Sequence, residues 1–156
     1  MAITDPYRRV LMLTPRRAHT SHKWQLPGST VRQGETPQEA VQRAVNVQLG
    51  LDLTPKSITA VTWTQVSTTA SPPTHRDRVC FTFTTSRLSL KDVARIHPHH
   101  ELVRSVKWVE PARAQQLLDQ HRPGTPVAEG LPWTHTQRSP AYNETQLTPY
   151  ARTVTC

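Results

Sequence analysis

The sequence predicts an α/β domain followed by an irregular extension, and three observations carry that expectation. Short runs rich in branched and aromatic residues recur at 9–14, 58–66, 78–88 and 102–110. One strongly delimited amphipathic helix falls between the first two runs, over residues 37–49. From residue 122 onward prolines punctuate the chain and no period is sustained. A chain of 156 residues fits a single domain, assigned to residues 1–121, with residues 122–156 as a Pro-rich extension packed on it or trailing from it.

Each element has a local cause. Residues 9–14 (RVLMLT) form a short apolar strand, ended by Pro15 and followed by the basic pair Arg16 and Arg17. Residues 24–28 (WQLPG) read as a brief strand stopped by a Pro-Gly turn. Thr36 is a good N-cap, Pro37 suits the first helical position, and Glu39 completes a capping box three residues after the cap. The apolar residues Ala40, Val41, Ala44, Val45, Val47 and Leu49 follow at helical spacing, and Gly50 is placed to close the helix in the left-handed conformation. Residues 58–66 and 78–88 read as an antiparallel pair, with TTASPPTHRD between them as a loop. Residues 102–110 (LVRSVKWVE) form a further strand, and Pro111 opens a helix to about residue 120 with Leu117 and Leu118 as core contacts.

Composition narrows the functional classes. Nineteen Lys and Arg against eleven Asp and Glu leave a formal charge of +8, which favours anionic partners such as phosphorylated small molecules or RNA. The two cysteines, Cys80 within a strand pattern and Cys156 at the last position, do not suggest a disulfide framework and fit a reducing cytoplasm. The first residues contain only a short apolar run broken by charges, so neither a signal peptide nor a membrane partner is expected.

The order of strand, Trp-x-Leu-Pro-Gly, loop, Gly-Glu-Thr-Pro, helix and Gly-Leu, then strands and a Trp-Val strand before a short helix, resembles the Nudix hydrolase family over roughly residues 8–121. The family motif, G-x5-E-x7-R-E-U-x-E-E-x-G-U with U aliphatic, lies on residues 29–51 without a gap. Glu35, Arg43, Val45, Gly50 and Leu51 match it. The resemblance implies an α/β/α sandwich with a mixed sheet, and hydrolysis of a diphosphate bound to another, usually nucleosidic, moiety with the help of magnesium or manganese.

The departures from that motif are concentrated where the resemblance places the metal. Ser29 stands at the first glycine, and Ala44, Val47 and Gln48 stand at the three glutamates that form the family's main metal-binding group. Positions 44, 47 and 48 share one helical face, the geometry that gathers carboxylates round a hard divalent cation. Alanine and valine have no ligand atoms and a glutamine amide is a poor neutral substitute, so the usual magnesium cluster cannot assemble there. If metal stabilisation contributes roughly 4 kcal/mol, its loss slows the reaction about a thousandfold.

The remaining candidates lie around that helix. Glu35 keeps the motif's first glutamate and is a candidate catalytic carboxylate for water or residual magnesium or manganese; it also suits a helix N-terminus electrostatically. Arg43 keeps the motif arginine and is placed to pair with Glu39 at the fourth residue before it, or to meet a ligand phosphate. Arg16, Arg17 and Lys23 border the entrance that the resemblance implies and complement a di- or triphosphate. Trp63 can stack on a base, although a strand tryptophan is commonly core. His97, His99, His100 and Glu101 form a histidine-rich loop suited to another divalent metal or to acid and base chemistry near neutral pH. Glu101 and His100 are its catalytic candidates, Glu101 lying near where the family often places a further carboxylate. Three functions stay open: an enzyme on a phosphorylated, nucleotide-like metabolite with an altered metal site, a non-catalytic nucleotide- or RNA-binding protein, and a repurposed enzyme of a specialised biosynthetic pathway.

Overall fold

The computed structural model describes residues 1–16, 24–67 and 75–119. Arg17, Lys23 and the extension 122–156 lie outside the described residues. The elements run β1 (Val10–Pro15), α1 (Pro37–Leu49), β2 (Ile58–Ser67), β3 (His75–Phe83), α2 (Leu90–Ala94), β4 (Val103–Val109) and α3 (Pro111–Asp119). No described helix is long and apolar enough to cross a membrane.

Strand β1 explains the layering. Its side chains alternate between two faces, as in any strand, yet both faces are apolar. Leu11 and Leu13 join Val41, Val45 and Leu49 of α1 in one core cluster. Val10 and Met12 join Ala114, Leu117 and Leu118 of α3 in the other. The two helices therefore cover opposite faces of the strand, which is an α/β/α arrangement.

Two antiparallel ladders make the sheet layer, β1 with β4 and β2 with β3. Residues 1–5, which the sequence assigns to no element, join them. The bridge Ala2 to Thr84 is parallel and Thr4 to Val10 is antiparallel, so the pairing is mixed. Met1, Ala2 and Ile3 are buried accordingly. Asp5, buried beside them, keeps its charge compensated by the backbone N–H groups of Tyr7 and Arg9 and by the Arg9 guanidinium at 2.7 Å.

Three expectations need correction. The strand expected at residues 24–28 is a single bridge, with Leu13 and Gln25 exchanging both backbone hydrogen bonds at 2.9 Å before Pro27 ends it. β3 begins at His75, inside the stretch read as loop, because β2 continues to Ser67 and ladder pairing satisfies both backbones. It ends at Phe83 rather than at residue 88, where Thr84 turns to pair with Ala2 and Leu88 enters the core. The last correction is α2, a short helix that the sequence reading left out. Ser89 and Asp92 cap it by a reciprocal capping box.

Candidate functional site

Helix α1 is held at both ends as its sequence requires. The Thr36 hydroxyl accepts from Glu39 N at 3.2 Å while the Glu39 carboxylate accepts from Thr36 N at 2.8 Å. Gly50 adopts φ +70°, the left-handed conformation that a side chain would strain, although a Cβ there would meet only ordinary contacts with His97 at 3.6 Å.

On the face that the resemblance assigns to metal, Ala44 is buried and Val47 is 46% exposed. Gln48 is engaged at both polar atoms. Its Oε1 accepts from Gly28 N at 3.2 Å and its Nε2 donates to Gly28 O at 2.9 Å. A carboxylate at this position can accept from the Gly28 N–H but has nothing to donate to the carbonyl. The Gln48 backbone carbonyl meanwhile accepts from His99 N at 2.9 Å, and the Leu49 carbonyl accepts from His97 N at 2.9 Å. Residue 48 thus ties the Pro27–Gly28 turn and the histidine loop to the end of α1. These groups do not fit a hard divalent cation: two of the three positions lack donors and the third is spent on a backbone pair.

Glu35 and Arg43 form the second fixed contact. Arg43 Nε donates to Glu35 Oε1 at 2.6 Å and Arg43 Nη2 to Oε2 at 2.8 Å, a forked pair, while Arg32 N donates to the same carboxylate at 2.9 Å. The Arg43 hydrogen bond, followed by that of Arg32 N, lowers the Glu35 pKa to about 2, and the same pair raises that of Arg43. Arg43 Nη2 also reaches Ser29 Oγ and Thr30 O at 3.2 Å, so the serine at the motif's glycine position gives the arginine a further acceptor. Arg43 therefore pairs with Glu35 and not with Glu39, whose carboxylate is occupied by the cap.

The other candidates are distributed as follows. His97, His99, His100 and Glu101 are all exposed. His97 Nδ1 lies 2.6 Å from the Arg95 carbonyl, which can only accept, so the proton sits on Nδ1. The rings of His99 and His100 stack with centroids 5.5 Å apart. Among the described residues no three His, Cys, Asp or Glu side chains gather as a metal-ligand group. Arg16 N donates to Leu102 O at 2.9 Å, which brings Arg16 to the loop that carries His100 and Glu101. Trp63 lies on β2 and is 47% exposed, so it is not the core residue that a strand tryptophan commonly is. Sequence reasoning missed the use of Gln48 and Ser29 as hydrogen-bonding partners, because their partners lie in other segments of the chain.

Two outcomes follow from these contacts. Gln48→Glu loses the bond to Gly28 O and sets a charge against that carbonyl, so chemical denaturation should show about 1–3 kcal/mol of lost stability; unchanged stability would refute the two-point bond. Because the folded pKa of Glu35 lies below the ordinary value of 4.5, its pair stabilises the fold above about pH 4.5, and this contribution is lost as pH falls through about 2. A carboxyl-detected NMR titration should place the Glu35 midpoint near 2 and move it upward in Arg43→Met; a midpoint near 4.5 in the parent protein would contradict the pairing.

Comparison with known proteins identifies the fold and the family. The NUDIX domain family model matches residues 1–129. The structure is similar to the MutT protein from Methanosarcina mazei, at 22% identity and TM-score 0.55, over 72% of this chain and 74% of that one. It is similar to the MutT NUDIX hydrolase from Burkholderia pseudomallei, at 19% identity and TM-score 0.54, over 77% and 92% of the two chains. It also resembles the dihydroneopterin triphosphate pyrophosphohydrolase of E. coli, at 22% identity and TM-score 0.54, over 77% and 90%. No curated relative matches the chain. A family match over most of the sequence, on a fold shared with Nudix hydrolases, means that this chain belongs to the NUDIX domain family.

Proposed function

We propose that this chain binds a phosphorylated, nucleotide-like metabolite and does not hydrolyse it by the magnesium route of its family. The observation that carries this reading is the two-point bond between Gln48 and Gly28, at the position where the family resemblance asks for a metal-binding carboxylate. The box helix acts as a scaffold that fixes the turn before it and the loop beyond it. Glu35, held as a carboxylate by Arg43, is poorly suited to take a proton near neutral pH.

The ligand class is supported by the family, by the formal charge of +8, and by a structural neighbour whose substrate is a pterin triphosphate. In this reading Arg16 and Arg17 neutralise phosphate oxygens together with Lys23, and Trp63 offers its half-exposed ring to a base. Any proton transfer belongs to His100 and Glu101, which share the loop next to Arg16. A second reading, RNA binding, is favoured by the same charge, and strong weakening by salt marks it.

The test is a panel of nucleoside di- and triphosphates, nucleotide sugars and isoprenoid diphosphates, each with magnesium, manganese, zinc or a chelator. The expected result is saturable binding of at least one compound, with magnesium-dependent phosphate release about a thousandfold below a metal-assisted rate. Brisk release that requires magnesium would overturn the proposal.

A further inference from the structure

The turn that leads into β1 contains the one left-handed residue other than glycine among those described. Arg8 has φ +65°, a conformation that a long side chain adopts at a cost and that glycine adopts freely. Such strain persists where surrounding contacts impose it, and it points to a functional position. Asp5 imposes it here. Its N–H donates to Arg9 O at 3.0 Å, its carbonyl accepts from Arg8 N at 3.0 Å, and its Oδ1 accepts from Tyr7 N at 3.0 Å and from Arg9 N at 2.8 Å.

The same buried carboxylate builds outward to the surface. Its Oδ2 accepts from Arg9 Nε and Nη2, both at 2.7 Å, and the Arg9 guanidinium lies 5.3 Å from the centroid of the Tyr7 ring. One face of the ring is thereby held by a cation, yet Tyr7 is still 66% exposed. Further cations lie nearby. Leu88 N donates to Thr4 O at 2.8 Å, which brings Arg87 to the base of the turn, and Lys91 follows in α2. Residues 1–9 and 84–94 together hold four cationic side chains, Arg8, Arg9, Arg87 and Lys91, against two carboxylates. Both carboxylates are engaged, Asp5 by Arg9 and Asp92 by the Ser89 cap. Among the described residues no ion pair neutralises Arg8, Arg87 or Lys91.

We propose that this turn binds single-stranded RNA, with an unpaired base stacked on the open face of Tyr7 and the flanking phosphates met by Arg8 and Arg87. An acidic peptide needs charge but no held ring, and a duplex keeps its bases stacked on one another, so the arrangement suits a single strand. The surface is separate from the candidate phosphate site, because the extended chain of β1 sets Arg16 about 20 Å from the turn. It rests on the RNA reading given above and supplies that reading with a location.

Fluorescence anisotropy of a labelled RNA single strand of about twelve nucleotides should show saturable binding that weakens with salt. Tyr7→Ala should raise the dissociation constant at least about fivefold, and Tyr7→Phe should keep it within about twofold, because the ring and not the hydroxyl makes the stack. Arg8→Gly should weaken binding by at least about threefold without lowering the melting temperature, since glycine relieves the left-handed strain. Arg104→Gln on β4 removes the same charge elsewhere and should change the constant by less than about twofold. Amide NMR of the parent protein reads the same surface without a variant: the resonances of residues 7–9 should shift as RNA is added. Absence of RNA binding would overturn this proposal and the RNA reading together. Binding insensitive to Tyr7→Ala, shifts confined to Arg16 and residues 97–101, equal affinity for a duplex or for polyglutamate, or tighter binding of a DNA strand would overturn this surface alone.

Discussion

Strand β1 has no solvent face: Leu11 and Leu13 enter the core beneath α1, and Val10 and Met12 enter the core beneath α3. That double burial fixes which sides the helices cover, since each fully buried aliphatic side chain stabilises by about 1.5–3 kcal/mol and a helix placed elsewhere forfeits several of them. It also dictates the edges. β4 takes one side of β1, while Ile3 and Gln25 take the other through their backbone bonds. The turn at Pro27–Gly28 is thereby delivered beside the last turn of α1, where the family's chemistry is usually built.

At that junction hydrogen bonds stand where charges are expected. Gln48 gives Gly28 a donor and an acceptor in register, and its carbonyl receives the histidine loop. Glu35, the motif glutamate that remains, is neutralised by Arg43. A cluster of unneutralised carboxylates repels itself until a cation binds, whereas this arrangement needs no ion to be satisfied. Helix α1 and the turn at Gly28 are therefore joined in one hydrogen-bonded element. Arg16 N donates to Leu102 O, so Arg16 lies beside the loop that carries His100 and Glu101.

Much of the fold was legible because its signals are local. Thr36, Pro37, Glu39 and Gly50 delimit α1 within a single stretch, and the apolar run at residues 9–14 and the apolar pair Leu117 and Leu118 mark a buried strand and a core contact. What was missed depends on distant partners. The start of β3 at His75 follows from the length of β2, and the burial of residues 1–3 follows from a bridge to Thr84. The cap of α2 was present in Ser89 and Asp92, but a five-residue helix has too short a period to announce itself. At the site, sequence reading identified which glutamates are replaced, yet not what the replacements do. Gln48 and Gly28 are 20 residues apart, and nothing local links them. Helical spacing offers Arg43 either Glu39 or a ligand phosphate, but the cap claims Glu39 and Glu35 is its partner.

If α1 and its flanking turn form a hydrogen-bonded scaffold and not a divalent-metal site, they leave a divalent cation unbound. Paramagnetic manganese tests this most directly, since a bound ion broadens nearby amide resonances whether or not any turnover occurs. In a two-dimensional amide NMR spectrum, manganese at low stoichiometry should leave the resonances of Gly28 and of residues 44–50 as sharp as the rest. Selective broadening centred on Val47 and Gln48 would contradict the account.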